Sequence, residues 1–296
     1  MEIETSFYSN GVPLLSTINI PDSAGKDNRK YPTVILCHGH SRDRNDGLDR
    51  LAEVLGEKGF ASIRFDFRGC GKNAVNRYNL YVASEMPDDI LNALSFAESL
   101  PFVDADRIGI AGISMGAILA VLVGGSGDDR IKSIVAMSGM ADCEKGLKAI
   151  YERKDGDWTA FLARIKEDGK IAAATGSSQL INRLEMYNES GEARKAGIME
   201  SLQEQGNNGY LTLQSVASFL RVKPIEKCES IKCPIFFIHG EEDELIPPKN
   251  SELMYEKAGT SSKKLKIYKG VNHNIPVCKE REIVFKDIAA WLISNL

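Results

Sequence analysis

Gly112-Ile113-Ser114-Met115-Gly116 directly follows the strand-like run 107–111 and precedes the helix-like apolar run 117–122. The five residues therefore connect a predicted strand to a predicted helix through a sharp turn. Gly112 and Gly116 lie two residues before and two residues after the serine. Glycine suits both positions of such a turn, because a side chain there would collide with the backbone that doubles back beside it. The stretch predicts a serine whose hydroxyl stands clear of a sheet edge.

Ser114 has two interpretations. As a nucleophile, it lies beside the unpaired N–H groups and the positive dipole end of the helix that follows, which can stabilise a developing negative charge. As a helix N-cap, its hydroxyl only accepts a hydrogen bond from the first helical turn. The strand–turn–helix context favours the nucleophile.

A nucleophilic serine needs a base, and the chain contains four histidines. His38 and His40 flank Gly39 after one strand-like run, and His239 follows another, so all three are interpreted as strand-end residues. His273 instead lies in a loop between the strand-like segment 264–268 and an amphipathic helix at the C-terminus. His273 is therefore the predicted general base.

The third catalytic group should be a buried carboxylate that orients the imidazole. The segment Gly240-Glu241-Glu242-Asp243 follows a strand-like run, and Asp243 is predicted because the residue three after the glycine of such a turn points back over the sheet. The neighbouring acids are interpreted as solvated loop charges: Glu241, Glu242 and Glu244. The chain order is then Ser114, Asp243, His273, which is the α/β-hydrolase order and not that of chymotrypsin or subtilisin.

These motifs resemble the α/β-hydrolase superfamily and, within it, small bacterial serine esterases of the cinnamoyl and feruloyl type. The resemblance covers about residues 30–140 and 228–296, and the segments that carry it are 34–40, 64–71, 112–116, 239–243 and 270–273. It implies a serine esterase that needs no metal and no organic cofactor.

The resemblance also implies an oxyanion hole made of two backbone N–H groups. By the family's pattern these belong to His40, which follows Gly39, and to Met115, which follows the serine. The chain departs from the pattern, since an aromatic residue is frequent where His40 stands and a serine or threonine where Asn73 stands. Main-chain donors should survive both changes, but a polar ring beside the acyl group leaves the family's specificity open.

Strand-like and helix-like segments alternate from Tyr31 onward, which predicts an α/β fold with a mostly parallel sheet covered by helices on both faces. The strand-like segments are 33–38, 61–66, 107–112, 131–137, 234–239 and 264–268, and the helix-like segments are 47–58, 87–99, 115–124, 250–258 and 281–295. The dipeptide Asn10-Gly11 predicts an N-terminal hairpin.

Residues 141–226 break this alternation, with several helical patterns and no clear strand. They are predicted to form an inserted helical cap, with 1–140 and 227–296 as the hydrolase core. The cap aromatics are interpreted either as pocket-lining residues or as ordinary cap core: Tyr151, Trp158, Phe161, Tyr187, Tyr210 and Phe219.

Composition narrows the class of protein. A chain of 296 residues, 43% of them hydrophobic, can bury a large core, and a net charge of −4 gives no reason to expect nucleic acid or a membrane surface as partner. The six cysteines show neither a disulfide framework nor zinc-ligand spacing, so we expect reduced thiols in a cytoplasmic protein. No signal peptide is expected at the N-terminus, and no apolar run approaches the roughly 18 residues that cross a membrane.

The sequence thus predicts a serine hydrolase that cleaves a small-molecule carboxylic ester through an acyl-enzyme, with aromatic or hydroxycinnamate esters suggested by the resemblance. A peptidase, an amidase or a thioesterase on the same three residues remains an alternative. So does a non-catalytic homologue that binds a ligand. The oligomeric state stays open, a homodimer included.

Overall fold

The computed structural model describes residues 1–21, 29–40, 42–73, 80–187 and 209–296. Within them the strands are β1 (Glu2–Ser9), β2 (Val12–Asn19), β3 (Tyr31–Cys37), β4 (Ala61–Phe65), β5 (Val103–Ile113), β6 (Ile131–Met137), β7 (Leu180–Asn182), β8 (Tyr210–Thr212), β9 (Ile235–Gly240) and β10 (Lys263–Tyr268). The helices are α1 (Leu48–Glu57), α2 (Met86–Ser99), α3 (Met115–Gly124), α4 (Cys143–Arg153), α5 (Trp158–Thr175), α6 (Arg183–Met186), α7 (Leu213–Leu220), α8 (Lys249–Lys257) and α9 (Arg281–Asn295).

Eight strands form one sheet in the order β1-β2-β4-β3-β5-β6-β9-β10. The pairs from β4 to β10 are parallel, and β2 pairs antiparallel with both β1 and β4. The mostly parallel sheet predicted from the sequence is confirmed. Because the parallel strands end at the same edge, the loops after β3, β5, β9 and β10 meet there, which is where such sheets bind ligands.

The N-terminal hairpin is also present, with Ser9 of β1 opposite Val12 of β2. Its two turn residues, Asn10 and Gly11, have φ angles of 48° and 81°. A tight two-residue hairpin turn requires positive φ angles at both central positions, and Asn-Gly adopts them with little conformational strain.

Helices cover both faces of the sheet, and β3 shows how the sequence divides them. Val34 and Leu36 point to the layer that contains α1 and α9, whereas Ile35 and Cys37 point to the layer that contains α2 and α3. Successive side chains of a strand face opposite sides, so a strand buried on both faces must be apolar at nearly every position.

The segment between β6 and β9 contains α4, α5, α6 and α7, as the helical patterns predicted. The expectation of no strand in it was wrong, because β7 and β8 pair as an antiparallel ribbon in which Leu180 lies opposite Thr212. Three-residue strands are too short to show an alternating pattern. Leu211 and Thr212 belong to β8, and residues 188–208 of the predicted cap lie outside the described residues.

The turn between β5 and α3 explains its two glycines. A Cβ added to Gly116 would lie 2.1 Å from the carbonyl oxygen of Cys37, and one added to Gly112 would lie 2.3 Å from the carbonyl carbon of Gly116. Both contacts are with backbone atoms, which cannot rotate away. The helix α3 therefore begins in contact with the end of β3.

Gly116→Ala is predicted to lower the free energy of unfolding by about 1–3 kcal/mol or more, because the methyl group must push two backbone segments apart. Gly56→Ala is the matched control, since a Cβ there meets nothing within 4 Å and the residue lies inside α1. Alanine should stabilise that helix by up to about 1 kcal/mol. Urea denaturation measures both, and equal midpoints for the two variants would contradict the steric argument.

Candidate active site

Ser114 occupies the turn between β5 and α3 with φ 54° and ψ −114°. Such a conformation is strained for a residue with a side chain and persists only where the surroundings enforce it. The backbone N–H of Ser114 donates a hydrogen bond to the carbonyl of Met137 at the end of β6, 2.8 Å away. The strand ends on both sides of β5 thus hold the serine above the sheet edge.

His273 brings two distant segments together. Its Nε2 lies 3.1 Å from Oγ of Ser114, and its Nδ1 lies 2.7 Å from Oδ2 of Asp243. The three side chains predicted from the sequence therefore form one continuous hydrogen-bonded row. In this arrangement Nδ1 donates to the carboxylate, which leaves Nε2 as the acceptor facing the serine hydroxyl.

Asp243 is 4% exposed and accepts hydrogen bonds on both oxygens. The backbone N–H groups of Leu245 and Ile246 donate to Oδ1 at 3.0 and 2.8 Å, and Nε2 of His239 lies 3.1 Å from Oδ2. Burial opposes ionisation of this carboxyl, but hydrogen bonds from His239 and His273 outweigh burial and hold its pKa well below the usual range. Asp243 is therefore a carboxylate at neutral pH.

His239 is a hydrogen-bond partner of Asp243 that the sequence interpretation missed. Its Nε2 also lies 2.7 Å from the carbonyl oxygen of Ile246, so two acceptors face this nitrogen and it must carry the proton. Its Nδ1 is then free to accept from the Ser251 hydroxyl, 2.7 Å away. The only sequence signal was a histidine four residues before the acid, which was interpreted as a strand-end residue.

The loop after β3 lies against the serine, as an oxyanion hole requires. A Cβ added to Gly39 would lie 3.6 Å from Cβ of Ser114, and Met115 is the first residue of α3, where helical N–H groups have no partner within the helix. The positions of His40 and Met115 thus agree with the predicted donors, while their role remains a prediction.

The His40 ring is buried, and it shares a short hydrogen bond with the Tyr81 hydroxyl. It lies at ring-centroid distances of 5.9 Å from Tyr187 and 5.6 Å from Phe219. Burial lowers the pKa of His40 well below its usual range, and the charge of Arg183 lowers it further. The ring is therefore neutral and fixed in place, not a mobile polar group beside the acyl site.

A cavity of about 570 Å³ opens beside His273. It is lined by the loops after β3, β9 and β10 and by α6: Arg42, Glu242, Glu244, Leu245, Asn272, His273, Asn274, Arg183, Leu184 and Tyr187. The three acids interpreted as solvated loop charges are exposed as expected: Glu241, Glu242 and Glu244.

The cap aromatics divide into distinct groups. Tyr187 lines the cavity, whereas Tyr151, Trp158 and Phe161 pack on one another with centroid distances of 4.6 to 6.0 Å. Tyr210 is 46% exposed. Among these six residues, the cap-core interpretation therefore applies to Tyr151, Trp158 and Phe161, and the pocket-lining interpretation to Tyr187.

The cavity wall also carries two guanidinium groups, which the sequence did not suggest. Burial lowers the pKa of Arg183 to about 10, and the neighbouring charge of Arg42 lowers it in the same direction. Arg183 remains cationic at neutral pH. Its Cζ lies 5.9 Å from the centre of the Tyr187 ring.

Other classes of site find no support in the described residues. Among them no group of three or more His, Cys, Asp or Glu side chains is placed to hold a metal ion, and none of their helices is long and apolar enough to cross a bilayer. All six cysteines are free thiols, and four of them are buried.

Residues 29–281 match the family model described as serine aminopeptidase, S33. The chain belongs to this family of α/β-hydrolases. An uncharacterised 31.7 kDa protein from the traX-finO intergenic region of Escherichia coli is 27% identical over 90% of this chain and 89% of its own length. A monoacylglycerol lipase of Mycolicibacterium smegmatis is 22% identical over 97% of this chain and 95% of its own.

The fold has close structural counterparts. The solved structure of Est1E from Butyrivibrio proteoclasticus with ferulic acid bound superposes with a TM-score of 0.70, at 17% identity and over 98% of both chains. Family and fold together support a hydrolase. They leave the bond that is cleaved to be inferred from the site.

Asp243→Asn is predicted to lower the free energy of unfolding by about 1–3 kcal/mol at pH 7, because an amide nitrogen cannot accept the hydrogen bonds that converge on the carboxylate. Glu242→Gln, an exposed acid one residue away, should change it by less than about 0.5 kcal/mol. Urea denaturation compares the two variants with the natural protein.

The difference in unfolding free energy between the natural protein and Asp243→Asn is predicted to depend on pH. The pKa of Asp243 is lower in the folded than in the unfolded protein, so its stabilisation is fully present above the unfolded value of about 3.9 and is lost as the pH falls toward the folded value. The stability difference between the natural protein and Asp243→Asn should therefore narrow between pH 5 and pH 3. A constant difference over that interval would contradict the assigned ionisation.

Proposed function

We propose that this protein hydrolyses a carboxylic ester through an acyl-enzyme formed on Ser114. The observation that carries the proposal is the hydrogen-bonded row Ser114–His273–Asp243 at the edge of a substrate-sized cavity. The relatives support the same reaction class, since one is a monoacylglycerol lipase and a structural counterpart was solved with ferulic acid.

In the acylation step, Oγ of Ser114 attacks the ester carbonyl carbon while Nε2 of His273 takes the hydroxyl proton. Asp243 stabilises the imidazolium that forms and keeps its Nδ1–H directed at the carboxylate. The tetrahedral intermediate collapses, the bond to the alcohol oxygen breaks, and His273 returns the proton to that oxygen. The alcohol leaves, and the acyl group remains on Ser114.

In the deacylation step, a water molecule takes the place of the alcohol. His273 removes a proton from this water as its oxygen attacks the acyl carbon, and then gives the proton to the Ser114 oxygen as the acyl–serine bond breaks. The carboxylic acid leaves and the site returns to its starting state. In both steps the N–H groups of His40 and Met115 are the proposed oxyanion donors.

The family's aminopeptidase description makes an exopeptidase the second candidate. Such an enzyme must hold a protonated amino group near the reacting carbonyl. The partly buried charges in the cavity are the guanidinium groups of Arg42 and Arg183, which repel an ammonium group, whereas Glu242 and Glu244 lie at the exposed rim. This charge arrangement favours an ester over an amino-terminal peptide.

Substrate selection is assigned to the inserted segment between β6 and β9. It contributes Leu184 and Tyr187 to the cavity, and Tyr187 and Phe219 also pack on the ring of His40. The sheet loops supply the reacting groups. We therefore treat residues 141–226 as the proposed cap.

Ser114→Ala and His273→Ala should each lower kcat by about 10⁴-fold or more, and the double variant should lose little more, because the groups act as a unit. Hydrolysis of 4-nitrophenyl acetate is the assay. Ser126→Ala, beyond the opposite end of α3, is the control that keeps full activity. Multiplicative losses in the double variant, or substantial turnover by either single variant, would refute the assignment.

Leu184→Ala should shift the ratio of kcat/KM between a bulky aromatic ester and an acetyl ester by about 10-fold against the bulky ester, because apolar contact is lost from the cavity wall. Leu162→Ala makes the same truncation on α5, where the side chain faces a different groove, and should leave the ratio unchanged. If both esters slow in parallel in Leu184→Ala, the segment is only a structural cover.

A further inference from the structure

The cavity beside His273 contains a positive charge that hydrolysis of a neutral ester does not use. Arg183 is the first residue of α6, and its backbone N–H donates to the carbonyl of Gly209 at 2.8 Å, which fixes α6 to the start of β8. From that position its side chain forms part of the cavity wall. The backbone of Arg183 is thus anchored beside the β7–β8 ribbon.

Nη1 of Arg183 is enclosed and, within the described part of the chain, donates to no hydrogen-bond acceptor. No acidic side chain of the described residues forms an ion pair with this guanidinium. The nearby Arg42 cannot supply one, and its own Nε lies 3.3 Å from Asp46. A partly buried cation without an acidic partner is costly, so an anion that contacts this guanidinium would gain both a charge partner and a hydrogen bond.

The acids at the rim do not cancel this charge. Glu242 and Glu244 are exposed, and interactions of exposed charges are weakened by water and by salt. Arg183 is partly buried, so its attraction for an anion is weakened less.

We propose that Arg183 binds a carboxylate carried by the alcohol half of the ester. The proposal rests on the proposed ester hydrolysis and adds its substrate class. A single negative charge matches the guanidinium of Arg183, which has no acidic partner among the described residues, and a planar carboxylate suits the N–H groups of a guanidinium.

The alcohol half is assigned by the position of His273. The alcohol oxygen must lie within hydrogen-bond reach of Nε2 to receive its proton, and His273 lines the same cavity as Arg183. The group attached to that oxygen therefore extends into the cavity. The acyl half begins at the carbonyl carbon, whose oxygen points to the proposed donors on His40 and Met115.

Matched esters test the proposal. The anionic probe is 4-acetoxybenzoate, whose leaving phenol carries the carboxylate, and the neutral probe is its methyl ester. Arg183→Met should lower the ratio of kcat/KM for anionic over neutral probe by about 10- to 100-fold, the effect of losing one charge-assisted hydrogen bond. Arg183→Lys should recover part of the ratio. Comparing variants on the same two esters cancels their different intrinsic reactivity.

Arg221→Met is the control, because this exposed arginine of the cap faces a different groove, and its ratio should equal that of the natural protein. Thermal unfolding and fluorophosphonate labelling of Ser114 show that each variant is folded and that its serine remains reactive. If Arg183→Met unfolds, Arg183→Lys and Arg183→Gln carry the test.

The outcomes separate the two proposals. An unchanged ratio in folded Arg183 variants that still hydrolyse both probes overturns the carboxylate site and leaves ester hydrolysis intact. No turnover of either probe by the natural protein overturns ester hydrolysis itself. Mono-4-nitrophenyl adipate carries its carboxylate on the acyl half, and 4-nitrophenyl hexanoate is its neutral counterpart. If the Arg183 variants change the ratio of kcat/KM only for this pair of esters, the alcohol-half assignment is overturned. If the natural protein has a higher kcat/KM for 4-acetoxyphenyl phosphate than for 4-acetoxybenzoate, the choice of a carboxylate as the bound group is overturned.

Discussion

The contact between the start of α3 and the end of β3 is the constraint on which the site depends. It can form only because Gly116 leaves room for the carbonyl of Cys37, and it sets the angle at which the chain leaves β5. That angle forces Ser114 to a φ of 54°. One steric condition therefore places the serine hydroxyl above the sheet, the first N–H groups of a helix beside it, and the loop after β3 against it.

The second element of the site is electrostatic. Asp243 keeps its charge in a buried position because two backbone N–H groups and two histidines donate to it. The carboxylate in turn fixes the tautomer of His273, which leaves Nε2 able to accept a proton from Ser114. In the lining of the cavity, Arg183 contributes a positive charge. The proposed chemistry uses the first charge to stabilise an imidazolium and the second to hold the substrate.

Much of this arrangement was predictable from local sequence patterns. The glycine spacing around Ser114, the acid three residues after Gly240 and the late histidine each carry a signal within a few residues, and the fold then brings the three together. His239 and Arg183 carried no such signal. Their importance comes from contacts across elements, namely a strand end facing a turn and a ribbon facing a cavity, which no periodicity encodes. The strands β7 and β8 were missed because three residues are too few to alternate.

Covalent acylation of Ser114 is the step on which the proposed reaction depends. A reagent whose acyl product on serine hydrolyses slowly allows that product to be detected. The natural protein is incubated with 4-nitrophenyl N,N-dimethylcarbamate, whose carbamoyl product on serine hydrolyses slowly, and then analysed by intact mass and by peptide mapping. We expect one dimethylcarbamoyl group per chain, located on Ser114, with release of one equivalent of 4-nitrophenol. An unmodified protein, or a carbamoyl group on any other residue while Ser114 stays free, would contradict this expectation.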